Sequence, residues 1–355
     1  MSLSDADLTT RILQFIQDTG AATYDSTETN YAIKNELKRL SRYSSVIVES
    51  IYHIESRTGV DTAGTASSLT DTTKSQFVAT DETTQKRVHN TTEHTWAAVK
   101  NYTSSSVLVL TRDIMNSGDN YEIYNKHCAN KRQIFLGDIP MFLWIDSVEY
   151  PIGTERNFTQ PSWHVVEIDI EDVEDSNSTL DPPNDTRVLI RFAYPHCLST
   201  LTDWAGELSG AAAEGVSTIS IDGMGTSETI NVGEMFNLED HHTTYIVTTA
   251  VTMSSGAGDL VFFPSLEAAV LNNDDINFIK TTLQPQHEEL LERMVISHLI
   301  QSNLITYIPT INVAGDTAGR FERYINNNPL LDPTLIQREL EALAEPRIAK
   351  VFARR

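Results

Sequence analysis

The hydrophobic pattern along the chain is helical at both ends and of strand type in between. Near the start, Leu8, Ile12, Phe15 and Ile16 make an apolar stripe at helical spacing. Ser4 stands at the cap position, Asp7 favours the positive end, and Gly20 is the expected stop. A second helix is predicted from the Asp25-Ser-Thr-Glu28 capping spacing, with Ile33, Leu37 and Leu40 on its core face. Val46–Tyr52 reads as a strand. At the other end, Pro285 opens a helix with Leu291, Met294, Val295 and His298 on one face. A short helix is expected at 320–325. Asp332 and Pro333 open a last one, with Ile336, Leu340 and Leu343 on one side and Pro346 as its end.

The middle of the chain alternates with a period of two. Residues 138–151 hold a dense apolar run between Pro140 and Pro151, and 163–170 and 187–193 are further strand candidates. These three are expected to form a central antiparallel sheet covered by the terminal helices. Residues 57–84, rich in Thr, Ser, Asp and Gly, read as a loop entering an inserted module. Within it, strands are predicted at 86–90, 94–102, 106–111 and 121–124. A second β module is expected at 214–280, with strands at 218–221, 229–232, 243–251 and 259–263 and a hairpin turn at Asp222-Gly223. The segments 107–115 and 260–268 suggest a loose internal repeat. The fold class is therefore α+β. The expected division is 1–60 (helical part of the core), 61–126 (first β insertion), 127–213 (central sheet), 214–280 (second β insertion) and 281–355 (C-terminal helices and basic tail).

Composition narrows the function. The 355 residues carry 49 acidic and 26 basic side chains, a formal net charge of −23. Such a surface repels nucleic acid rather than gripping it. The basic residues that cluster are Lys34, Lys38, Arg39 and Arg42 on the second helix, and Arg347, Lys350, Arg354 and Arg355 in the tail. The first group reads either as a solvated helix face or as a contact with an acidic neighbouring subunit. No apolar run approaches the ~20 residues of a membrane span, and no signal peptide is expected. Cys128 and Cys197 either pair or remain thiols, and so small a count favours thiols.

Catalytic and metal motifs are weak. Asp61-Thr-Ala-Gly64 and Asp316-Thr-Ala-Gly319 imitate a GTPase switch without any phosphate-cradling loop. There is no nucleophile elbow and no zinc-protease motif. His241-His242, His287 and His298 lack ligand-spaced companions, and the carboxylates of 167–175 lack the glycine of a calcium loop. Neither cofactor, metal nor enzymatic activity is expected. Asn90, Asn101, Asn157, Asn177 and Asn184 head glycosylation sequons, which a Thr- and Asn-rich composition explains.

The order of these pieces resembles the head-to-tail adaptor proteins of tailed bacteriophages. The resemblance rests on the two short N-terminal helices ending in Leu37-Lys-Arg-Leu-Ser-Arg-Tyr43. It also rests on Leu143-Trp-Ile-Asp-Ser-Val-Glu-Tyr-Pro151, on Arg187-Val-Leu-Ile-Arg-Phe-Ala-Tyr-Pro-His196 and on the two C-terminal helices. It covers about 1–56, 135–205 and 281–355. It implies an adaptor core formed by both chain ends and a homo-oligomeric ring, a dodecamer, in the neck of the virion. The partners would be the portal protein above and a tail or neck protein below, with DNA crossing the lumen without specific binding. Portal docking would fall to Arg347, Lys350, Arg354 and Arg355, and subunit contact to Lys34, Lys38, Arg39 and Arg42. The rival class is a β-rich virion or cell-surface adhesin that holds glycan or a receptor through its inserted modules.

Overall fold

A computed structural model describes residues 4–16, 18, 20, 24–55, 57–137, 139, 142–170, 186–307 and 331–343. Contacts divide the chain into two units. One is Met1–Val48, Met141–Trp144 and Ala193–Arg355; the other is Glu49–Pro140 and Ile145–Phe192. The fold is mixed α and β, mostly antiparallel sheet with few helices.

In the first unit, helices from the two chain ends share one core. Helix α1 (Asp5–Phe15) begins with a reciprocal cap in which Ser4 and Asp7 bond each other's backbone N–H. It stops at Ile16, short of Gly20. Helix α2 (Ser26–Ser41) is capped by Asp25, whose carboxylate accepts from the Glu28 N–H at 2.7 Å. Leu8, Ile12, Ile33 and Leu40 bury against Leu291, Met294 and Val295 of a long helix, Pro285–Tyr307, and against Ile336 and Leu340 of the last helix, Pro333–Leu343. Polar contacts lock the same faces. Glu36 accepts from His298 at 2.8 Å, Arg39 donates to Gln337 at 2.7 Å, and Gln337 donates to the Tyr43 hydroxyl at 3.0 Å. The expected helix at 320–325 lies outside the described residues.

The same unit holds a closed six-stranded barrel. Its order is β14 (Ala205–Leu208), β15 (Thr218–Asp222), β20 (Gly258–Phe263), β18 (Tyr245–Thr249), β17 (Met235–Leu238) and β21 (Asp275–Phe278), with β21 returning to β14. Two short strands, β16 (Thr229–Ile230) and β19 (Val251–Thr252), pair separately. The interior is aromatic: Phe236 lies 5.4–5.6 Å from Tyr245, Phe262 and Phe278. The barrel begins at Ala205, before the expected boundary at 214, because β14 is the strand that closes it. Gly223 has a φ of 75°, as a turn glycine should. The strand before it pairs with β14 and β20, so Asp222-Gly223 turns the chain without making a hairpin.

The second unit contains two strand systems and the greater part of a third. A six-stranded antiparallel sheet runs β2 (Thr58–Val60), β7 (Asn120–Tyr124), β4 (Arg87–Asn90), β5 (Thr95–Ser104), β6 (Val107–Leu110), β3 (Ser68–Thr70), with a short helix α3 (Thr80–Thr83) nearby in sequence. A three-stranded sheet runs β11 (Phe158–Ser162), β12 (Val165–Ile168), β8 (Gln133–Phe135). A four-stranded sheet runs β1 (Val46–His53), β13 (Arg187–Tyr194), β9 (Trp144–Glu149), β10 (Glu155–Arg156). Arg191 ties its three main strands, donating to Glu49 at 2.6 Å and to Glu149.

Two sequence expectations are corrected here. The strand at 163–170 does not join 144–149 and 187–194; β12 pairs with β8 and β11, and β1 takes its place beside β13. Nor is 57–84 a loop, since it carries β2, β3 and α3. Its polar residues are structural, because three buried carboxylates spaced ten apart satisfy the backbone. Asp61 accepts from the Gly64 and Thr70 N–H groups at 2.6 and 2.7 Å. Asp71 accepts from Thr73 and Lys74 N–H at 2.9 Å and from the Tyr121 hydroxyl at 2.6 Å. Asp81 accepts from Val78 N–H and twice from Arg57. The GTPase-like Asp61–Gly64 is thus a turn, and Gly64 sits there with φ at 60° because a Cβ would stand 2.6 Å from the Ser117 nitrogen. The two β modules also differ in topology, one an open sheet and one a closed barrel, so the loose repeat has no structural counterpart.

Arg57 clamps this unit by pairing with Glu55 at 2.8 Å and Asp81 at 2.6 Å, and Lys86 reaches Glu55 at 3.1 Å. Burial acts to raise the Glu55 carboxyl, but Arg57 and Lys86 more than reverse it and hold the group at about 2. Arg57→Met leaves the buried Asp81 without its cation and Glu55 with Lys86 alone, and is expected to cost ~3–5 kcal/mol in urea unfolding. Glu55's folded value lies below its unfolded value of ~4.3, so its stabilisation is complete above that pH and is lost as pH falls towards about 2. That acid-side slope should be shallower in the variant, where Lys86 alone still pairs with Glu55.

Candidate functional site

Three places concentrate chemistry, and each is considered within its own unit. The first is the outer side of α2. Lys34, Lys38 and Arg42 are exposed at four-residue spacing, as a single stripe. Arg39 is drawn away from it, half-buried and held by Gln337 and Glu36. The structure thus brings three of the four predicted contact residues together and gives the fourth an internal partner. Arg347, Lys350, Arg354 and Arg355 lie outside the described residues.

The barrel carries the opposite charge. Residues 201–280 include twelve acidic side chains and one basic one, Lys280, a net of −11 out of −23. Strand register sets several of them side by side. Glu207 stands opposite Asp222 on one flank and Asp275 on the other, and Glu239 continues the row. Like charges in direct cross-strand positions are unfavourable. None of the ion pairs among the described residues involves these four carboxylates.

The second place is a buried polar knot in the helix-and-barrel unit. His196 contacts Thr282 Oγ1 at 3.0 Å and Ser44 Oγ at 3.3 Å, and its ring centre lies 5.8 Å from that of His287. Burial, helped by neighbouring His287, pushes His196 down to about 4, so it is neutral near pH 7. Glu234 takes the Thr200 N–H at 2.9 Å, and burial raises its carboxyl. Cys197 lies beside Glu234 at 3.9 Å, and burial with that carboxylate raises its thiol. A thiol held protonated is a poor nucleophile. The knot ties the segment 196–200 to Ser44, Thr282 and Glu234.

The third place is a cleft of 470 Å³ at the β2 edge of the six-stranded sheet, lined among others by Thr58, Val60, Thr73, Lys74, Asn120 and Glu122. Gly59 shapes its floor: a Cβ there would meet Asp71 Oδ2 at 2.4 Å and the Tyr121 hydroxyl at 2.5 Å. Register places His89 directly across from Glu122, and Trp96 across from His89. The His89 and Trp96 rings stack at 4.1 Å, and Arg87 covers Trp96 at 4.5 Å. Sequence reading passed over this cleft, because its polar residues are scattered along some sixty-five positions. The one local signal was Gly59.

Other candidates resolve plainly. Among the described residues no group of three or more His, Cys, Asp or Glu could hold a metal ion, and no helix is long and apolar enough to cross a membrane. His241 bonds the Tyr245 hydroxyl at 2.5 Å, and His298 is taken by Glu36. The Asn90 sequon is unusable in the folded chain: its buried amide donates to Ile114 O and Asp119. Cys128 and Cys197 are both free and buried, and burial pushes the Cys128 thiol up to about 12. An aromatic disulfide reagent should therefore label neither thiol in the native protein and both in denaturant. No protein-family model matches this chain, and no curated protein matches it in sequence.

Proposed function

We propose that this chain is a structural, non-enzymatic head-to-tail adaptor of a tailed bacteriophage, a neck ring that joins portal to tail and lets DNA pass. The observation that carries the reading is the shared core of the helices from the two chain ends. Along the chain the six-stranded sheet and the barrel both fall between those helical segments. Such a protomer is suited to side-by-side assembly, with its β parts free to vary.

Charge supports the same reading. The stripe Lys34, Lys38 and Arg42 is an exposed basic helix face, and the carboxylate row Glu239, Asp275, Glu207, Asp222 on the barrel is its natural complement on a neighbouring copy. Each exposed pair contributes only ~0.2–1 kcal/mol, so the charges set register and association rate while a buried interface supplies affinity. An acidic ring also suits a DNA passage, since its net charge disfavours a hold on the phosphates.

The direct test is electron microscopy of the purified protein, which should show rings. Reversing the stripe (Lys34→Glu, Lys38→Glu, Arg42→Glu) should leave the thermal unfolding nearly unchanged and shift the ring towards protomers in sedimentation. Adding Glu207→Lys, Asp222→Lys and Asp275→Lys to the same chain should restore the ring; failure to restore it removes this pairing. Portal binding should weaken when 347–355 are deleted, and unchanged binding would remove the docking role of Arg347, Lys350, Arg354 and Arg355.

A further inference from the structure

The cleft beside Gly59 is not accounted for by ring assembly. Its size falls in the ~300–1,000 Å³ range of small-molecule sites, yet its lining is unlike the apolar lining usual there. Val60, 44% exposed, is the only aliphatic side chain among its lining residues. The remaining wall carries hydroxyls, an amide, an ammonium and carboxylates.

The hydrogen-bond accounts of these groups differ. The floor is closed: both Asp71 oxygens are occupied, and the Tyr121 hydroxyl donates to Asp71 and accepts from Gln76. The walls are open. The Asn120 amide and the Thr73 hydroxyl make no side-chain hydrogen bond among the described residues. Lys74 spends one donor on the Thr58 carbonyl at 2.7 Å and forms no ion pair among the described residues. Glu122 is steadied by Lys131 at 3.4 Å and by the Tyr124 hydroxyl, so it presents an acceptor in a fixed place.

This set discriminates among ligands. An apolar molecule would desolvate Asn120, Thr73 and Lys74 without replacing their water hydrogen bonds. A multiply charged anion would meet Asp71 and Glu122. Nucleic acid is disfavoured by the chain's charge as a whole. A neutral polyol fits, because each of its hydroxyls donates and accepts at once. Glu122 can take two vicinal hydroxyl protons, Asn120 can both give and take, and Lys74 can give.

We propose that this cleft binds a neutral saccharide unit, such as one carried on a cell envelope. The site is distinct from the helix stripe and does not depend on the ring reading. The test uses the full chain on an array of envelope oligosaccharides. It is followed by calorimetric or NMR titration with methyl glycosides of glucose, galactose, mannose, rhamnose and N-acetylglucosamine. At least one neutral saccharide should be retained, with affinity insensitive to salt. Asn120→Ala and Thr73→Val, both at exposed positions, should each weaken it by ~2–10-fold without changing thermal unfolding. Three results would overturn the proposal: retention of no neutral saccharide, equal binding by both variants, or binding confined to sulfated or sialylated glycans and weakened by salt. The last would make Lys74 the centre of an anion site instead. Ring formation should be the same in both variants, so the two readings fail separately.

Discussion

A short amphipathic helix is not stable by itself; it needs another apolar face to cover its own. Helix α1 has eleven residues and the last helix, Pro333–Leu343, also eleven. Neither end of the chain holds enough apolar surface for a core of its own. Both are stabilised by packing on Pro285–Tyr307, where Leu291, Met294 and Val295 meet Leu8, Ile33 and Leu340. The polar links Glu36–His298 and Arg39–Gln337 then fix which faces meet. Everything between is free to be elaborated, provided the ends still reach each other. That constraint is what makes an adaptor-like protomer a reasonable reading of a chain so rich in strands.

The acidic balance of the chain has two physical meanings. In the unit built on the six-stranded sheet, carboxylates go inside. Asp61, Asp71 and Asp81 take backbone N–H groups that short Thr- and Ser-rich strands would otherwise leave unpaired, and Arg57 neutralises the deepest of them. Buried charges of this kind hold only when every oxygen is occupied. In the barrel the carboxylates other than Glu234 are exposed or half-exposed, several of them in a row, with almost no cation in the same eighty residues. Some of them also tie the barrel together, Glu228 accepting from Thr202 and Glu267 from Thr243, while the row Glu239, Asp275, Glu207 and Asp222 gives the barrel an acidic flank. The same residue types thus stand inside in one unit and mostly outside in the other.

How much could be read in advance follows from how local each signal is. Ser4 with Asp7, Asp25 with Glu28, and Asp332 with Pro333 are helix starts written within three or four residues, and all three stand where expected. Strand pairing is non-local. The segments at 144–149, 165–168 and 187–194 look alike in pattern, and nothing in them says that β12 chooses β8 and β11. The strands β2 and β3 were hidden because their stability comes from Asp61 and Asp71 rather than from β-branched apolar runs. Strand β14 was missed because Ala-Gly-Glu-Leu is short and weakly β-forming, though it closes the barrel. The basic stripe was visible as spacing, but that Arg39 turns inward to Gln337 depends on a helix three hundred residues away. The cleft is assembled from β2, β7 and the loop after β3, so no window of sequence contains it.

The pairing of first and last helices also sets a timetable for biosynthesis. Helix α2 leaves the ribosome long before Pro333–Leu343 is made, an interval of roughly 15–60 s at ~5–20 residues per second. During that time the stripe of Leu8, Ile12, Ile33 and Leu40 lacks its covering helices and offers a greasy surface to chaperones or to other nascent chains. The intervening β bodies have everything they need nearby and can mature first. Premature association of subunits through unfinished helices is thereby the hazard this chain order creates, and completion of the C-terminal helix is the event that ends it.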